Sequence, residues 1–226
     1  MVSKNQIKLI TSLQQKKYRK QEQLFFAEGV KVVQELLNSN FELQDLFTTK
    51  QDFLTVSKDK VHAISEAELK KISALTTPNT CLAVFKMPKS KDFVEKGLIV
   101  ALDDVRDPGN LGTIIRLCDW FGIETLFCSE ESVDIYNPKV VQATMGSISR
   151  VNVVYGNLEA FLTKTKLPVF GTFMDGKNIY QEKLPKEGII IMGNEANGIS
   201  SSVEKLVSER IAIPRFGNLQ VTESLN

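Results

Sequence analysis

The chain has 226 residues, of which 42% are hydrophobic and 24% are charged, and its formal net charge is +1. This composition is typical of a globular protein with room for one large core or two small ones. The longest apolar runs, such as Leu98–Leu102, are far too short to cross a bilayer, and the first residues lack the continuous apolar block of a signal peptide.

The cysteine and histidine content excludes several kinds of active site. Three scattered cysteines, Cys81, Cys118 and Cys128, form neither a C-x-x-C pair nor an even disulfide framework, so we expect buried thiols in a reducing, cytoplasmic setting. His62 is the only histidine, which excludes a histidine-based triad and a multi-histidine metal site. We therefore expect no metal, and we assign His62 a structural place in a short strand.

Residues 1–20 predict a basic helix, because they contain six lysines and arginines and no acidic residue. Such an arm can neutralise RNA phosphates, and the candidate contacts are Lys16, Lys17, Arg19 and Lys20. A solvated helix face explains the same pattern, and this alternative stays open.

Residues 21–90 predict a small domain of mixed helices and strands. Apolar residues at helical spacing predict a helix over 30–38, and a shorter helix is predicted over 66–73. The predicted strands are residues 41–49, 61–64 and 82–86. Pro88 and a run of charges between residues 87 and 96 predict a linker, which leads into a second domain over 97–226.

From residue 97 onwards, predicted strands and helices alternate. The strands are residues 98–102, 125–128, 151–154, 169–173, 189–192 and 210–213, and the helices are residues 109–121, 138–144, 158–164 and 199–207. This alternation predicts a parallel sheet with helices on both faces. Since ligands bind at the carboxyl ends of such strands, we expect the chemistry just after Leu102, Met192 and Ile213.

The segment after Leu102 opens a helix at Pro108 and Gly109, which set a tight turn. Asn110 can cap this helix or reach into a cleft, and Arg116 lies six residues further along the same helix. Neither a G-x-G-x-x-G nor a Walker A pattern is present, because the glycine spacing and the lysine are wrong. A capped helix with a surface arginine is the alternative.

The two later segments also carry unusual residues. Gly193 and Gly198 stand on either side of a short polar run that contains Glu195, a pattern typical of backbone held close to a ligand. A helix start with a favourable acidic residue is the alternative. In the last segment, Thr222–Ser224 resembles a helix start, since hydroxyl side chains cap helices well.

Together these segments resemble the SpoU (TrmH-type) branch of the SPOUT RNA methyltransferases. Phe25–Gly29, ahead of an amphipathic helix, resembles the ribosomal-L30e-like RNA-binding domain of that family. The three family motifs are matched by Asn110–Gly112 through Arg116, by Ile191–Glu195 with Gly198, and by Ile211–Pro214 with Ser224–Asn226.

The resemblance implies a fold: an L30e-like amino-terminal domain followed by a parallel-sheet α/β domain with a deep trefoil knot, assembled as a homodimer. In the family a further helix follows the serine-leucine-asparagine block, completes the knot and packs at the dimer interface. Because the sequence ends at Asn226, before such a helix, we expect an incomplete knot and a weakened cofactor site.

The resemblance also implies a reaction, the transfer of a methyl group from S-adenosylmethionine to a ribose 2′-hydroxyl, with S-adenosylhomocysteine as the product. The expected partner is structured RNA, ribosomal RNA ahead of transfer RNA. DNA and membranes are not expected partners, because DNA lacks the 2′-hydroxyl and the chain lacks an apolar span.

The site residues follow from the same resemblance. Those that match the active site of the family are Asn110, Arg116, Glu195, Ser224 and Asn226. Those expected to line the S-adenosylmethionine site are Met192, Gly193, Asn194, Ile213 and Leu225. Arg150 matches a commonly basic position that could grip an RNA phosphate.

An arginine normally stays protonated, so Arg116 is expected to stabilise negative charge on the 2′-oxygen and to pair with a phosphate. Asn110, Ser224 and Asn226 are expected to position the ribose. Two other functions stay open: a binding protein that holds structured RNA without methylating it, and a doubly wound nucleotide-binding enzyme. The second would need phosphate-cradling glycines that the sequence lacks.

Overall fold

The computed structural model describes residues 1–50, 56–89 and 93–214. The first elements are α1 (Lys4–Ser12), α2 (Lys16–Glu22), β1 (Leu24–Glu28), α3 (Val30–Leu37), β2 (Leu43–Thr48), β3 (Val61–Ala63), α4 (Glu66–Ile72) and β4 (Cys81–Lys86). The later ones are β5 (Leu98–Leu102), α5 (Pro108–Trp120), β6 (Thr125–Ser129), α6 (Pro138–Thr144), β7 (Asn152–Gly156), α7 (Leu158–Lys164), β8 (Val169–Asn178), β9 (Gly188–Met192), α8 (Ser201–Glu204) and β10 (Glu209–Ala212). No helix in these ranges is long and apolar enough to span a membrane.

The chain divides into two compact units that are each discontinuous in sequence. The first unit comprises the described residues of Met1–Lys91 together with Pro108–Leu117 and Asp134–Arg150. The second comprises the described residues of Asp92–Asp107, Cys118–Val133 and Val151–Asn226. Helix α6 and most of α5 therefore belong to the same unit as strands β1 to β4.

The first unit contains a four-stranded sheet in the order β1-β4-β2-β3. Strand β4 pairs antiparallel with β1 and β2, and β3 joins β2 in parallel. Strand β1 is not predicted by the sequence pattern, because all five of its residues are buried and its apolar run therefore has no alternation. Within this core the Phe25 ring stacks on Phe85, with ring centroids 5.7 Å apart, and meets Phe41 edge-on at 5.2 Å.

The segment predicted as one basic helix forms two helices instead. A capping box of Ser3 and Gln6 starts α1, and Gln15, with an extended backbone, precedes α2. Between them Leu13 is completely buried in the amino-terminal core. Burial of this apolar side chain fixes a turn between the two helices, and the charge pattern of the sequence does not predict a turn there.

Arg19 requires a correction, since it was predicted to contact RNA and is 2% exposed. Its guanidinium donates hydrogen bonds to the carbonyl oxygens of Leu13 and Gln14 at 2.8 and 2.9 Å. Two further bonds go to one carboxylate oxygen of Asp134, the shorter at 2.5 Å. Arg19 therefore fixes the turn between α1 and α2 and ties it to the segment before α6.

We predict that Asp134→Ala lowers the free energy of unfolding by about 3 kcal/mol, because it leaves the buried guanidinium of Arg19 without its counter-charge. Urea denaturation would measure the change. The control is Lys86→Ala, which breaks an exposed ion pair with Glu42 and should cost less than about 1 kcal/mol. Equal effects of the two substitutions would contradict the structural role of Arg19.

The second unit contains a six-stranded sheet in the order β10-β8-β9-β5-β6-β7, in which every neighbouring pair is parallel. The predicted parallel sheet is therefore confirmed. Helices α7 and α8 contribute Leu158, Leu162 and Val203 to an apolar cluster with strands β5, β6 and β9. These apolar contacts pack the two helices against the sheet.

Two elements of this unit differ from the predicted bounds. Strand β8 runs to Asn178, five residues further than predicted, because it pairs with β10 again after a shift of register at Arg210 and Ile211. Helix α8 is four residues long, since the amides of Leu206 and Val207 bond three residues back and end it in a turn. Neither feature follows from hydrophobic spacing.

Candidate active site

The carboxyl ends of β5 and β9 lie side by side at the centre of the second sheet. Leu102 is the register partner of Met192. The next strand in the chain after β5 is β6, on one side of the β5–β9 pair. The next strand after β9 is β10, which lies beyond β8 on the other side of that pair. Ligands of parallel sheets bind where neighbouring strands lead in opposite directions. Two of the three predicted segments thus meet at such a switch point, and the third starts from β10, two positions from β9.

The loop after β9 is organised by the side chain of Asn194. Its oxygen accepts hydrogen bonds from the amides of Ala196 and Asn197, at 2.9 and 3.1 Å, and its nitrogen donates to the carbonyl of Asp104 at 2.7 Å. The backbone of Asn194 also exchanges two 2.9 Å bonds with Gly198. One amide side chain therefore closes its own loop and ties that loop to the end of β5.

Gly193 is required by the tightness of this loop. A β-carbon at position 193 would lie 2.1 Å from the carbonyl carbon of Gly198 and 2.3 Å from the nitrogen of Ile199. Both contacts are to backbone, which cannot move aside without opening the loop. The glycine that the sequence analysis linked to a closely held backbone is thus needed for packing within the loop itself.

The loop after β5 is fixed by a second set of polar contacts. Asp103, which is 7% exposed, accepts a 2.7 Å hydrogen bond from the amide of Ser200 and donates its own amide to Met192 at 2.9 Å. Asp104 has a left-handed backbone, with φ of 56°, and its amide donates to the hydroxyl of Ser129 at 2.9 Å. The loops after β5 and β9 and the last residue of β6 therefore form one hydrogen-bonded network.

Asp103, Ser129 and Ser200 belong to this network and were not predicted from the sequence. Two consecutive aspartates directly after a buried strand were the available signal for Asp103. Two hydrogen bonds of this network join residues that are 25 and 97 positions apart in the chain, and local spacing does not reveal such pairs. Among the described residues, no group of three or more histidine, cysteine or acidic side chains is arranged to hold a metal ion.

Asn110 and Arg116 both lie on α5, in the first unit, and both are exposed. Gly112, between them, packs against α6, since a β-carbon at this position would lie 2.3 Å from the β-carbon of Ala143. The absence of a side chain at Gly112 therefore allows α5 to pack closely on α6. Glu195 is exposed in the loop after β9, in the second unit.

The remaining predicted residues are distributed over both units. Ile213 is 72% exposed, whereas Ser224, Leu225 and Asn226 lie outside the described residues. Lys16, Lys17 and Lys20 are exposed. Arg150 is also exposed and pairs with Glu35 at 2.9 Å.

The three cysteines are buried and carry no disulfide. Burial raises the pKa of Cys81 and Cys118 to about 11, and burial also raises the pKa of Cys128. The thiolate is the nucleophilic form of cysteine, and near neutral pH these thiols stay protonated. A reaction through a cysteine nucleophile is therefore disfavoured.

The SpoU rRNA Methylase family model matches residues 97–226, which is more than half of the chain. The chain belongs to this family. A second model, the MRM3-like substrate binding domain, matches residues 4–83. The family match includes the loops after β5 and β9, so the switch point lies within the methylase region.

Relatives over the full length support this assignment. The chain is 28% identical to the 23S rRNA (guanosine(2553)-2'-O)-methyltransferase RlmP of Bacillus subtilis, over 99% of this chain and 92% of that protein. A solved structure of a putative RNA methyltransferase of the TrmH family from Porphyromonas gingivalis is 40% identical, with a TM-score of 0.87 over 100% of this chain and 93% of that one. An AdoMet-bound rRNA methyltransferase from Sinorhizobium meliloti is 28% identical, with a TM-score of 0.84 over 100% and 91%.

We predict that Asn194→Ala opens the loop after β9 without unfolding the protein. The amides of Ala196 and Asn197 lose their acceptor, so their hydrogen exchange should accelerate at least tenfold, and the free energy of unfolding should fall by about 1–2 kcal/mol. Amide exchange followed by NMR would measure both effects. The matched control is Asn197→Ala, in the same loop, and equal protection in the two variants would contradict the role given to Asn194.

Proposed function

We propose that the protein transfers the methyl group of S-adenosylmethionine to a ribose 2′-hydroxyl of ribosomal RNA. The observation that carries this proposal is the SpoU match over residues 97–226, combined with the switch point between β5 and β9 inside it. The relative from Bacillus subtilis is named for this reaction on 23S rRNA, and the structure from Sinorhizobium meliloti is described as AdoMet-bound. The alternative of an inactive RNA-binding protein has no comparable support.

The residues proposed to hold S-adenosylmethionine are Met192, Gly193, Asn194, Ile213 and Leu225. The loop after β9 fits such a ligand, because Gly193 lets the loop close tightly on Gly198 and Asn194 holds the loop in one shape. In this proposal Asn194 positions the loop, and the residues beside it in the loop provide backbone groups that contact the ligand. When bound, S-adenosylmethionine supplies the methyl group from its sulfonium, and S-adenosylhomocysteine leaves.

The residues proposed for the chemistry are Asn110, Arg116, Glu195, Ser224 and Asn226. The 2′-hydroxyl is a weak acid, so its oxygen needs electrostatic help as its proton passes to solvent water. Arg116 is exposed, and its guanidinium stabilises the developing negative charge and pairs with a neighbouring phosphate. Asn110, Ser224 and Asn226 orient the ribose, and Glu195 orients an arginine or a hydroxyl.

The proposed RNA contacts are Lys16, Lys17, Lys20 and Arg150, all of which are exposed. RNA is chosen over DNA because only RNA has the 2′-hydroxyl. The L30e-like character of the amino-terminal domain, the trefoil knot and a cytoplasmic location also belong to this proposal. Three free thiols fit the last point, since a reducing compartment keeps them reduced.

The proposal is tested by incubating the protein with S-adenosylmethionine labelled in its methyl group and unmodified 23S rRNA transcribed in vitro. A 2′-O-methyl group makes the adjacent phosphodiester resistant to alkali, so the label should appear in alkali-resistant dinucleotides. If alkali instead releases the label in mononucleotides, the methyl group is on a base, and the proposal is overturned. RNA binding without any transfer would favour the inactive alternative.

We predict that Arg116→Ala lowers kcat at least 100-fold, because it removes the positive charge that stabilises the oxyanion. The affinity for S-adenosylhomocysteine, measured by calorimetry, should change less than twofold. Arg116→Lys keeps the charge and should retain part of the activity. Turnover of the alanine variant near the wild-type rate would show that Arg116 has another role.

We further propose that the protein acts as a homodimer. Trp120 and Phe121, at the end of α5, are 83% and 71% exposed, and adjacent large apolar side chains of this exposure are typical of an interaction surface.

Trp120→Glu should convert the dimer into a monomer, because it places a charge in an apolar interface. Sedimentation velocity would measure the change. Met174→Glu is the matched control, since Met174 is 87% exposed on β8. A wild-type protein that sediments as a monomer would contradict the dimer.

A further inference from the structure

Two adjoining cavities in the first unit form a groove between the amino-terminal sheet and helix α6. The first has a volume of 230 Å³ and the second 380 Å³, and both are lined by Glu28 and Gln142. We define the groove by the residues that give it its chemical character: Glu28, Lys31, Asn79, Lys139 and Gln142.

The two cavities differ in chemistry. The first is mainly apolar, with walls that include Phe26, Leu75 and Ala143. The second has a larger polar share in its lining, to which Lys31, Asn79 and Gln142 contribute. An apolar slot that opens into a chamber with amide groups suits a planar heterocycle with hydrogen-bonding edges, because amides both donate and accept.

The two lysines stand where helix stability does not favour them. Lys31 lies in the first turn of α3 and Lys139 in the first turn of α6, and neither first turn contains an acidic residue. A positive charge at the start of a helix opposes the helix dipole. Both side chains are exposed, Lys139 at the first cavity and Lys31 at the second, so phosphates bound beside them would offset this unfavourable placement.

Glu28 is a buried wall residue of the groove, and its carboxylate is held by hydrogen bonds to neighbouring groups. It is 4% exposed, and it accepts a hydrogen bond from the amide of Ala74 at 2.8 Å and another from the hydroxyl of Ser73. Its oxygens are thus committed to the segment that leads from α4 to Asn79. Burial raises the pKa of this carboxyl group, and the bonds from Ser73 and Ala74 oppose that shift.

The groove is also close to the helix that carries the proposed catalytic residues. Ala143 lines the first cavity, and Gly112 of α5 packs against the same residue. Asn110 and Arg116 lie on α5 within the same compact unit. A ligand in the groove is therefore one helix away from the side chains proposed to hold the target ribose.

We propose that this groove binds an unstacked nucleotide of the RNA substrate. The base of this nucleotide lies in the apolar slot, and the phosphates on either side of the nucleotide lie at Lys31 and Lys139. Proteins read RNA sequence chiefly through such unstacked bases. The groove would then select the RNA, while the loops of the second unit supply the donor. The inference rests on the proposed RNA methyltransferase function.

The test is binding of unmodified 23S rRNA transcript, without methyl donor, to the full chain and to the double variant Lys31→Gln and Lys139→Gln. The affinity should fall about tenfold, and the slope of log affinity against log salt should fall by about 1.4, because each lost contact with single-stranded phosphate removes about 0.7. Lys58→Gln is the matched control. It is exposed and precedes β3, at the opposite edge of the sheet from β1, and should leave both values unchanged.

A second variant, Gln142→Ala, tests the base contact. It should raise KM for the RNA at least fivefold and leave kcat and the affinity for S-adenosylhomocysteine unchanged. Ultraviolet crosslinking of the wild-type chain to the transcript should mark peptides that contain residues 28–31 or 138–142. Unchanged affinity and salt slope in the double variant, with no crosslink in these peptides, would overturn the proposal. Because binding is measured without methyl donor, a failure of methyl transfer would not be mistaken for a failure of the groove.

Discussion

The parallel pairing of β5 with β9 is the constraint on which the rest of the site depends. It sets Leu102 beside Met192, so two polar loops that are 90 residues apart in the chain leave the sheet together, and the side chain of Asn194 bonds across them to the carbonyl of Asp104. Without this register, the side chain of Asn194 would not reach the carbonyl of Asp104. A rigid loop of exposed backbone at a switch point is suited to holding a small polar ligand, which is what a methyl donor requires.

Much of the second unit could be predicted from the sequence, because its strands are short apolar runs separated by helices with regular spacing. The order of the strands could not be read in this way, and neither could β1, whose five buried residues have no period. The residues of the site were predicted in part. Gly193 and Asn194 were identified from their motif, whereas Asp103 and Ser200 act through a contact that only the folded chain creates.

Arg19 shows that the charge pattern of a sequence does not by itself predict which basic side chains are exposed. In a run of lysines it looks like one more phosphate contact, yet its guanidinium is buried against Asp134, 115 positions away. Lys31 and Lys139 show the converse. Each looks like an ordinary surface lysine in the sequence, and only the fold brings both to the groove beside α6.

The central claim is that the loops after β5 and β9 bind the methyl donor. Hydrogen–deuterium exchange of the full chain with and without S-adenosylhomocysteine tests it most directly. We expect slower exchange in peptides that cover residues 103–107 and 192–200, with little change in the sheet formed by β1 to β4. Unchanged exchange in those two loops at saturating ligand, or protection confined to the amino-terminal sheet, would contradict the account.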